Sequence, residues 1–287
     1  RMKHLLELPS PFPAEPGLVR LLEPPASDAL ALAARLLEGR YDKPFVLENG
    51  GLRALHFSLG YVQSVMDIDN PAALVLAYAQ RMMAFLLFNP RPRRITLLGL
   101  GGGSLASFCH RHLPAADLTA LEIDPHVIAL RDHFGVPPDD ARFRVIPGDG
   151  VRWIEDAQTR CDVLLVDAFG AEGVAAGLLE ADFYEHAHRH LGGRGILVMN
   201  VAGERSGYAD HVARLLAVFD ERVIAIPVRE DGNHIVFAFR DPAFAPRWHW
   251  MRSQALALQA RLGLDFPAFA QQLEAGARQG HAQRLAR

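Results

Sequence analysis

The segment RRITLLGLGGGSLASF, residues 93–108, limits the fold more than any other stretch of this chain. An apolar strand runs into four glycines within five positions, Gly99, Gly101, Gly102 and Gly103, and a helix follows at once. Glycine there frees the backbone to adopt left-handed turns and lets it approach a ligand beside a helix N-terminus. Units of this kind serve both dinucleotide oxidoreductases and binders of adenosyl groups, so the turn by itself leaves that choice open.

What surrounds the turn fixes the class. Apolar strands alternate with helical stretches from RRITLLGL through DLTALEI, RFRVIPG and CDVLLVDAF to RGILVMNV. That alternation predicts a mostly parallel sheet covered on both faces. Residues 221–240, two strand-like runs around Asp231-Gly232, predict a hairpin that adds an antiparallel strand. Ahead of the turn, the spacing predicts a long helix from Pro71 to about Phe88. Earlier still, KPFVLENGGLRALHFSLGYVQSVMD predicts two or three antiparallel strands around Asn49-Gly50 and Gly60. Ser27 and Asp28 are cap candidates for a short helix stopped by Gly39, and six prolines within residues 9–25 predict an extended arm. The expected class is α/β with a small N-terminal β-rich module. Its parts are residues 1–68, an α/β domain over 69–245, and C-terminal helices with a basic tail over 246–287.

Composition removes several chemistries. Of 30 basic residues only Lys3 and Lys43 are lysine, and neither lies in a glycine-rich loop, so a P-loop or a pyridoxal Schiff base is excluded. Net charge is -3 with the arginines dispersed, which gives no stripe for nucleic acid or anionic lipid. Cys109 and Cys161, 52 residues apart, form no metal or disulfide pattern and read as reduced thiols. The most apolar run, AALVLAYAQRMMAFLLF, is interrupted by Gln80 and Arg81 and reads as a core helix, not a membrane span. No basic segment leads into a long apolar run near Met2, so a cytoplasmic location is expected.

Acidic residues recur at strand ends. Glu122 follows Gly99 by 23 residues, at a tip where a carboxylate accepts ribose hydroxyls, or else caps the helix at Pro125. Asp149, in PGDG, is placed to bond an adenine amino group. Asp167 ends CDVLLVDAF in the crevice where open α/β sheets bind ligands; it orients an amine or takes its proton, or else caps a helix. The histidines of YEHAHRH, His186, His188 and His190, place their outer pair at zinc-compatible spacing without a third ligand, so an ordinary amphipathic helix is preferred. His110 and His112 suit a helix C-terminus, and Trp248 and Trp250 suit C-terminal packing.

Taken in order, the glycine turn, Glu122, Asp149, Asp167 and the terminal hairpin resemble the class I S-adenosylmethionine-dependent methyltransferase fold, a Rossmann-like sheet. More closely they resemble the spermidine synthase (polyamine aminopropyltransferase) family, over roughly residues 44–240. Where that family has GGGDGG, EID, GDG and DSxDPxGPAxxLF, this chain has GGGSLA, EID, GDG and DAFGAEGVAAGLL followed by DFY. GYVQSVM and AYAQ are similar to the family's DGxxQ and YHE region. The resemblance implies a donor of the S-adenosylmethionine type, decarboxylated or intact, held by Gly99, Gly101, Gly102, Gly103, Ser104, Glu122, Ile123, Asp149 and Gly150. It implies an amine acceptor held by Gln63, Tyr78, Asp167 and Glu172, with Asp167 catalytic, no metal, no nucleic acid or membrane, and a homodimer or higher homo-oligomer.

Two of the family's acids are replaced, by Ser104 and Gly170, and the proline after the second by Ala171. Carboxylates offset the desolvation of a sulfonium and an amine. Glu172, Asp67, Asp69 and Glu230 are the candidates to make up the loss. Beside aminopropyl transfer stand methyl transfer, which Ser104 favours, a non-catalytic relative, which Gly170 and Ala171 favour, and a nicotinamide oxidoreductase, which Asp149 and the hairpin oppose.

Overall fold

The structure is a computed structural model that describes residues 4–156, 158–167, 169–170, 173–174, 180–201 and 205–279. Its first sheet is antiparallel: β1 (Leu6–Pro9), β2 (Leu18–Leu21), β3 (Phe45–Asn49), β4 (Leu52–Ser58) and β5 (Tyr61–Asp67) lie in chain order. Helix α1 (Ala29–Leu37) starts at Asp28, whose carboxylate accepts from the Leu30 and Ala31 amides. The proline-rich segment, expected as an arm, supplies the end of β1, the loop and β2 of the hairpin β1–β2. Pro9 is tolerated as the last residue of an edge strand, and the segment's other five prolines lie outside both strands. Phe12, Val19 and Leu21 then close a small core with Leu32, Leu36 and Phe45. The β3–β4 turn uses Gly50 and Gly51, both at positive φ, while Asn49 stays paired in the strand.

The expected long helix is short. Residues 71–76 are not helical; α2 covers Ala77–Met82 and a 3-10 turn follows over Met83–Leu87. The Leu74 carbonyl accepts from the Gln80 side chain (2.8 Å), and the Tyr78 amide donates instead to Asp231 Oδ2 (2.6 Å). A side chain of the helix itself and one tertiary partner thus take the groups that would have extended the helix backwards. The 3-10 turn is buried at every residue.

The second sheet has seven strands. β6 (Arg94–Leu98), β7 (Asp117–Glu122), β8 (Phe143–Pro147), β9 (Cys161–Val166), β12 (Leu191–Val201), β13 (Val223–Val228) and β14 (Asn233–Phe239) are ordered β13-β14-β12-β9-β6-β7-β8. The pairs among β6, β7, β8, β9 and β12 are parallel, and the predicted hairpin β13–β14 adds antiparallel to β12. A two-residue ribbon, β10 (Phe169–Gly170) with β11 (Gly173–Val174), lies between β9 and β12 in sequence.

Both faces are buried, as continuous apolar strands require. Leu97, Leu165, Val198 and Phe237 face one core, shared with the 3-10 turn and with α8 (Trp248–Leu262) and α9 (Phe266–Arg278). Leu98, Leu164, Leu197 and Val236 face the other, under α6 (Ala181–His190) and α7 (Arg205–Val218). The connecting helices α3 (Ser104–His112), α4 (Pro125–Ala129) and α5 (Gly150–Asp156) follow β6, β7 and β8. Strand order reverses between β6 and β9, which opens a crevice at their carboxyl ends.

The C-terminal tail beyond residue 279 lies outside the described residues. Trp248 packs edge-on to Phe88 at 6.5 Å, whereas Trp250 is exposed. His188 packs against Phe219 and His190 meets Thr96, so these rings serve packing between helix and sheet. Among the described residues no helix is long and apolar enough to cross a membrane, and no three His, Cys, Asp or Glu are grouped to hold a metal ion. Cys109 and Cys161 are free and buried.

Candidate active site

The glycine turn follows β6 and delivers the N-terminus of α3, with Gly99, Gly101 and Gly103 at positive φ. Close approach is made here by the protein itself. A Cβ on Gly102 would sit 2.6 Å from Ser64 Oγ, and one on Gly103 would sit 2.2 Å from a Val136 methyl. Strand β5 therefore lies across the turn, with the Gln63 side chain against Gly101 at 3.7 Å from such a Cβ. Ser104 Oγ and Ser64 Oγ are 2.9 Å apart, so the position that is acidic in the resembling family is a hydroxyl pair here.

Glu122, at the end of β7, is 7% exposed, and its carboxylate holds the turn. Oε2 accepts from the Leu100 amide (2.9 Å) and the Gly101 amide (3.3 Å), and Oε1 from the Asp124 amide (2.9 Å). The cap of α4 is Asp124, which accepts from the His126 amide at 2.8 Å. A carboxylate offers about four acceptor positions, so three amides leave room for a ribose hydroxyl. Ile123 beside it is 69% exposed, an apolar face at the crevice rim. Asp149 Oδ1 accepts from the Val151 amide at 2.9 Å and so starts α5. Its Oδ2 is 3.8 Å from the exposed Arg152 and remains open to a ligand. Gly150 is required by packing: a Cβ would meet Leu98 at 2.8 Å.

Across the crevice, Asp167 follows β9. Asn200 Nδ2 donates to its Oδ1 at 3.0 Å, and the Tyr78 hydroxyl donates to its Oδ2 at 3.0 Å, with the Gln63 carbonyl 3.2 Å from the same hydroxyl. Burial pushes the Asp167 carboxyl above the ordinary carboxylate range, and the charge of Glu122 adds to this. The two hydrogen bonds oppose the rise without cancelling it. Asp167 thus caps no described helix; its oxygens are held by two side chains from distant segments.

Of the acids considered as compensation, Glu230 is bound to Arg81 at 2.8 Å, and its own backbone amide and that guanidinium hold its carboxyl below the usual range. Asp67 accepts from the Asp69 and Asn70 amides at 2.9 and 3.3 Å, a local turn. Asp69 is exposed. Glu172 and Ala171 lie outside the described residues, and Gly170 pairs with Gly173 in the β10–β11 ribbon.

Two contributors were missed from the sequence. Asn200 is 3% exposed near the end of β12, and its signal was a single amide in the apolar run ILVMNV. Asp231, read only as a turn former, holds the α2 end that carries Tyr78. No local pattern announces that contact, because the partners are 153 positions apart.

A family model described as the spermine/spermidine synthase domain matches residues 54–214. A polyamine aminopropyltransferase of Chromobacterium violaceum is 37% identical over 230 residues, which are 80% of this chain and 88% of that one. Among solved structures, a spermidine synthase in complex with the transition-state analogue AdoDATO superposes with TM-score 0.66 at 16% identity, covering 86% of each chain. Human methyltransferase-like protein 13 in complex with SAH superposes with TM-score 0.55 at 22% identity, covering 72% of this chain and 94% of that one. At such identities the two structures establish the sheet architecture and nothing finer.

Proposed function

The chain belongs to the spermine/spermidine synthase family, and from that premise we propose that it transfers an aminopropyl group from decarboxylated S-adenosylmethionine to an amine acceptor. The observation that carries the reading is the half-buried Asp167 carboxylate, fixed by Tyr78 and Asn200 opposite the glycine turn. Gly99, Gly101, Gly102, Gly103, Ser104, Glu122, Ile123, Asp149 and Gly150 hold the nucleoside. Gln63, Tyr78, Asp167 and Glu172 hold the acceptor.

In the reaction the amine lone pair forms a bond to the carbon beside sulfur. The carbon–sulfur bond breaks with its electrons going to sulfur, so the sulfonium becomes a neutral thioether. The proton lost by nitrogen goes to Asp167 and then to water. A carboxyl raised by burial is better matched to that proton than an ordinary aspartate. Most of the acceleration comes from holding the two reactants in line, which is worth up to about 7–11 kcal/mol in well-oriented systems.

Incubation with decarboxylated S-adenosylmethionine and putrescine, spermidine or agmatine tests this directly. The expected product is methylthioadenosine together with the extended amine, detected by mass spectrometry. No thioether from any of the three amines overturns the reading.

The Ser104–Ser64 hydroxyl pair favours a second reading, methyl transfer from intact S-adenosylmethionine, because hydroxyls donate to a donor carboxylate that an acid would repel. Calorimetry separates the two: tighter binding of the decarboxylated donor counts against methyl transfer. The same proposal takes the protein as a homodimer or larger homo-oligomer of the cytoplasm, divided at about residues 68 and 245. Family resemblance and two buried reduced thiols support it.

A further inference from the structure

Among the described residues, only one end of the buried Asn200 amide is hydrogen-bonded. Its Nδ2 donates to Asp167 at 3.0 Å, while its Oδ1 is a buried acceptor with no hydrogen-bond partner among the described residues. A buried amide oxygen left unmade costs about 1–3 kcal/mol, so such an atom points to a group that arrives with the ligand. Its place supports the same conclusion. Asn200 and Asp167 stand at the carboxyl ends of the neighbouring parallel strands β12 and β9, on the sheet face that α2 covers with Tyr78.

We infer that Asn200 is a second acceptor for the attacking nitrogen and sets the preference of the site for primary over N-methylated amines. The inference rests on the transferase reading above. The amide's own N–O separation is about 2.2 Å, so its Oδ1 is at most about 5 Å from the Asp167 oxygen it serves. Two hydrogen bonds of about 2.9 Å from one nitrogen span that gap. A primary amine in line for attack points its lone pair at carbon and keeps two N–H groups, one for Asp167 and one for Asn200. A secondary amine keeps one and leaves Asn200 Oδ1 empty. The polarity of the amide also fits: it donates to the carboxylate from one end and accepts from the amine with the other, without adding a second buried charge.

The test compares putrescine with N,N′-dimethylputrescine, both of whose nitrogens are secondary, in the wild type, N200L and N200S. Wild-type kcat/KM is expected to favour the primary amine by about tenfold to a hundredfold, the range for a hydrogen bond lost beside a buried acceptor. In N200L, which keeps the branching of the side chain and removes the acceptor, the ratio is expected to fall to within about threefold. Putrescine affinity for the methylthioadenosine-loaded protein, measured by calorimetry, is expected to fall about tenfold, while methylthioadenosine affinity stays within about twofold. N200S, smaller and too short to bridge, serves if N200L does not fold and is expected to behave alike. A primary-to-methylated ratio unchanged in the folded variant overturns the inference. So does an equal loss of nucleoside and amine binding, which marks a merely structural role. If the wild type transfers nothing but putrescine affinity still depends on Asn200, the transferase reading fails and the acceptor role stands.

Discussion

The two walls of the crevice are built by different means. On the wall proposed for the nucleoside, Glu122, Asp124 and Asp149 are bound by backbone amides within 22 residues of themselves. On the acceptor wall, Asp167 is held by Tyr78, 89 positions away, and Asn200, 33 positions away, and Tyr78 is in turn held by Asp231. A wall fixed by its own strand ends and turns is formed once the sheet forms. A wall fixed by side chains from α2, β9, β12 and a hairpin tip, with a backbone carbonyl of β5, depends on every packing contact between them. Under the proposed function, small changes on the acceptor wall are expected to tune activity, and those on the nucleoside wall to cost ligand affinity.

Asp167→Asn gives the largest expected effect. Removing a positioned proton acceptor lowers kcat/KM by about 10²–10⁴-fold, read from steady-state rates, with methylthioadenosine affinity nearly unchanged. Because the folded-state pKa of Asp167 is raised, its ionisation works against folding once pH exceeds the ordinary carboxylate range. The variant is accordingly expected to melt no lower than the wild type at neutral pH. A large loss of nucleoside affinity in the variant would erase the distinction between the walls.

Glu122→Gln should act on the other wall. A neutral amide cannot accept from all three amides, so methylthioadenosine binding is expected to weaken by about 10–100-fold by calorimetry. The discrimination between amines should persist. Tyr78→Phe removes one donor to Asp167, lowering kcat/KM by about tenfold. The lost hydrogen bond was one of the two that lower the Asp167 pKa, so that pKa rises further. In a pH–rate profile the acid limb, below which Asp167 is protonated and inactive, moves to higher pH. A limb that stays in place or moves down would show that Tyr78 does not act through Asp167.

The smallest effect belongs to Asp231→Ala. Loss of a side-chain cap on the first turn of α2 is worth about 0.5–2 kcal/mol in stability, and kcat/KM is expected to fall about threefold to fivefold. In a Tyr78→Phe background the same change should leave kcat/KM almost unchanged, since its route to the site has been removed, while the stability loss persists. An undiminished effect in that double variant would detach the hairpin tip from the acceptor wall.

Legibility followed the same division. The glycine turn, Glu122, Asp149 and Asp167 could be placed because each ends a strand whose apolar run is plain in the sequence. What could not be read was how their polar atoms are spent. Glu122 grips the turn, the cap at Pro125 belongs to Asp124, and Gly102 and Gly103 make room for Ser64 and Val136. The helix expected over residues 71–88 shrank to α2 because Gln80 and Asp231 took its backbone partners. The proline-rich arm became part of a hairpin because its prolines, save Pro9 at the end of an edge strand, fall outside the two paired strands.

The sequence by itself determined the class of sheet, the position of its switch point and the strand ends that carry acids, since all three follow from periodicity and from glycine and proline chemistry along a continuous segment. Only the tertiary structure decided that Ser64 stands against Ser104, that Glu230 and Asp67 are spent elsewhere, and that Tyr78 and Asn200 meet on Asp167. Those are pairings between side chains far apart in the chain, and burial of two unrelated faces against each other is what sets them.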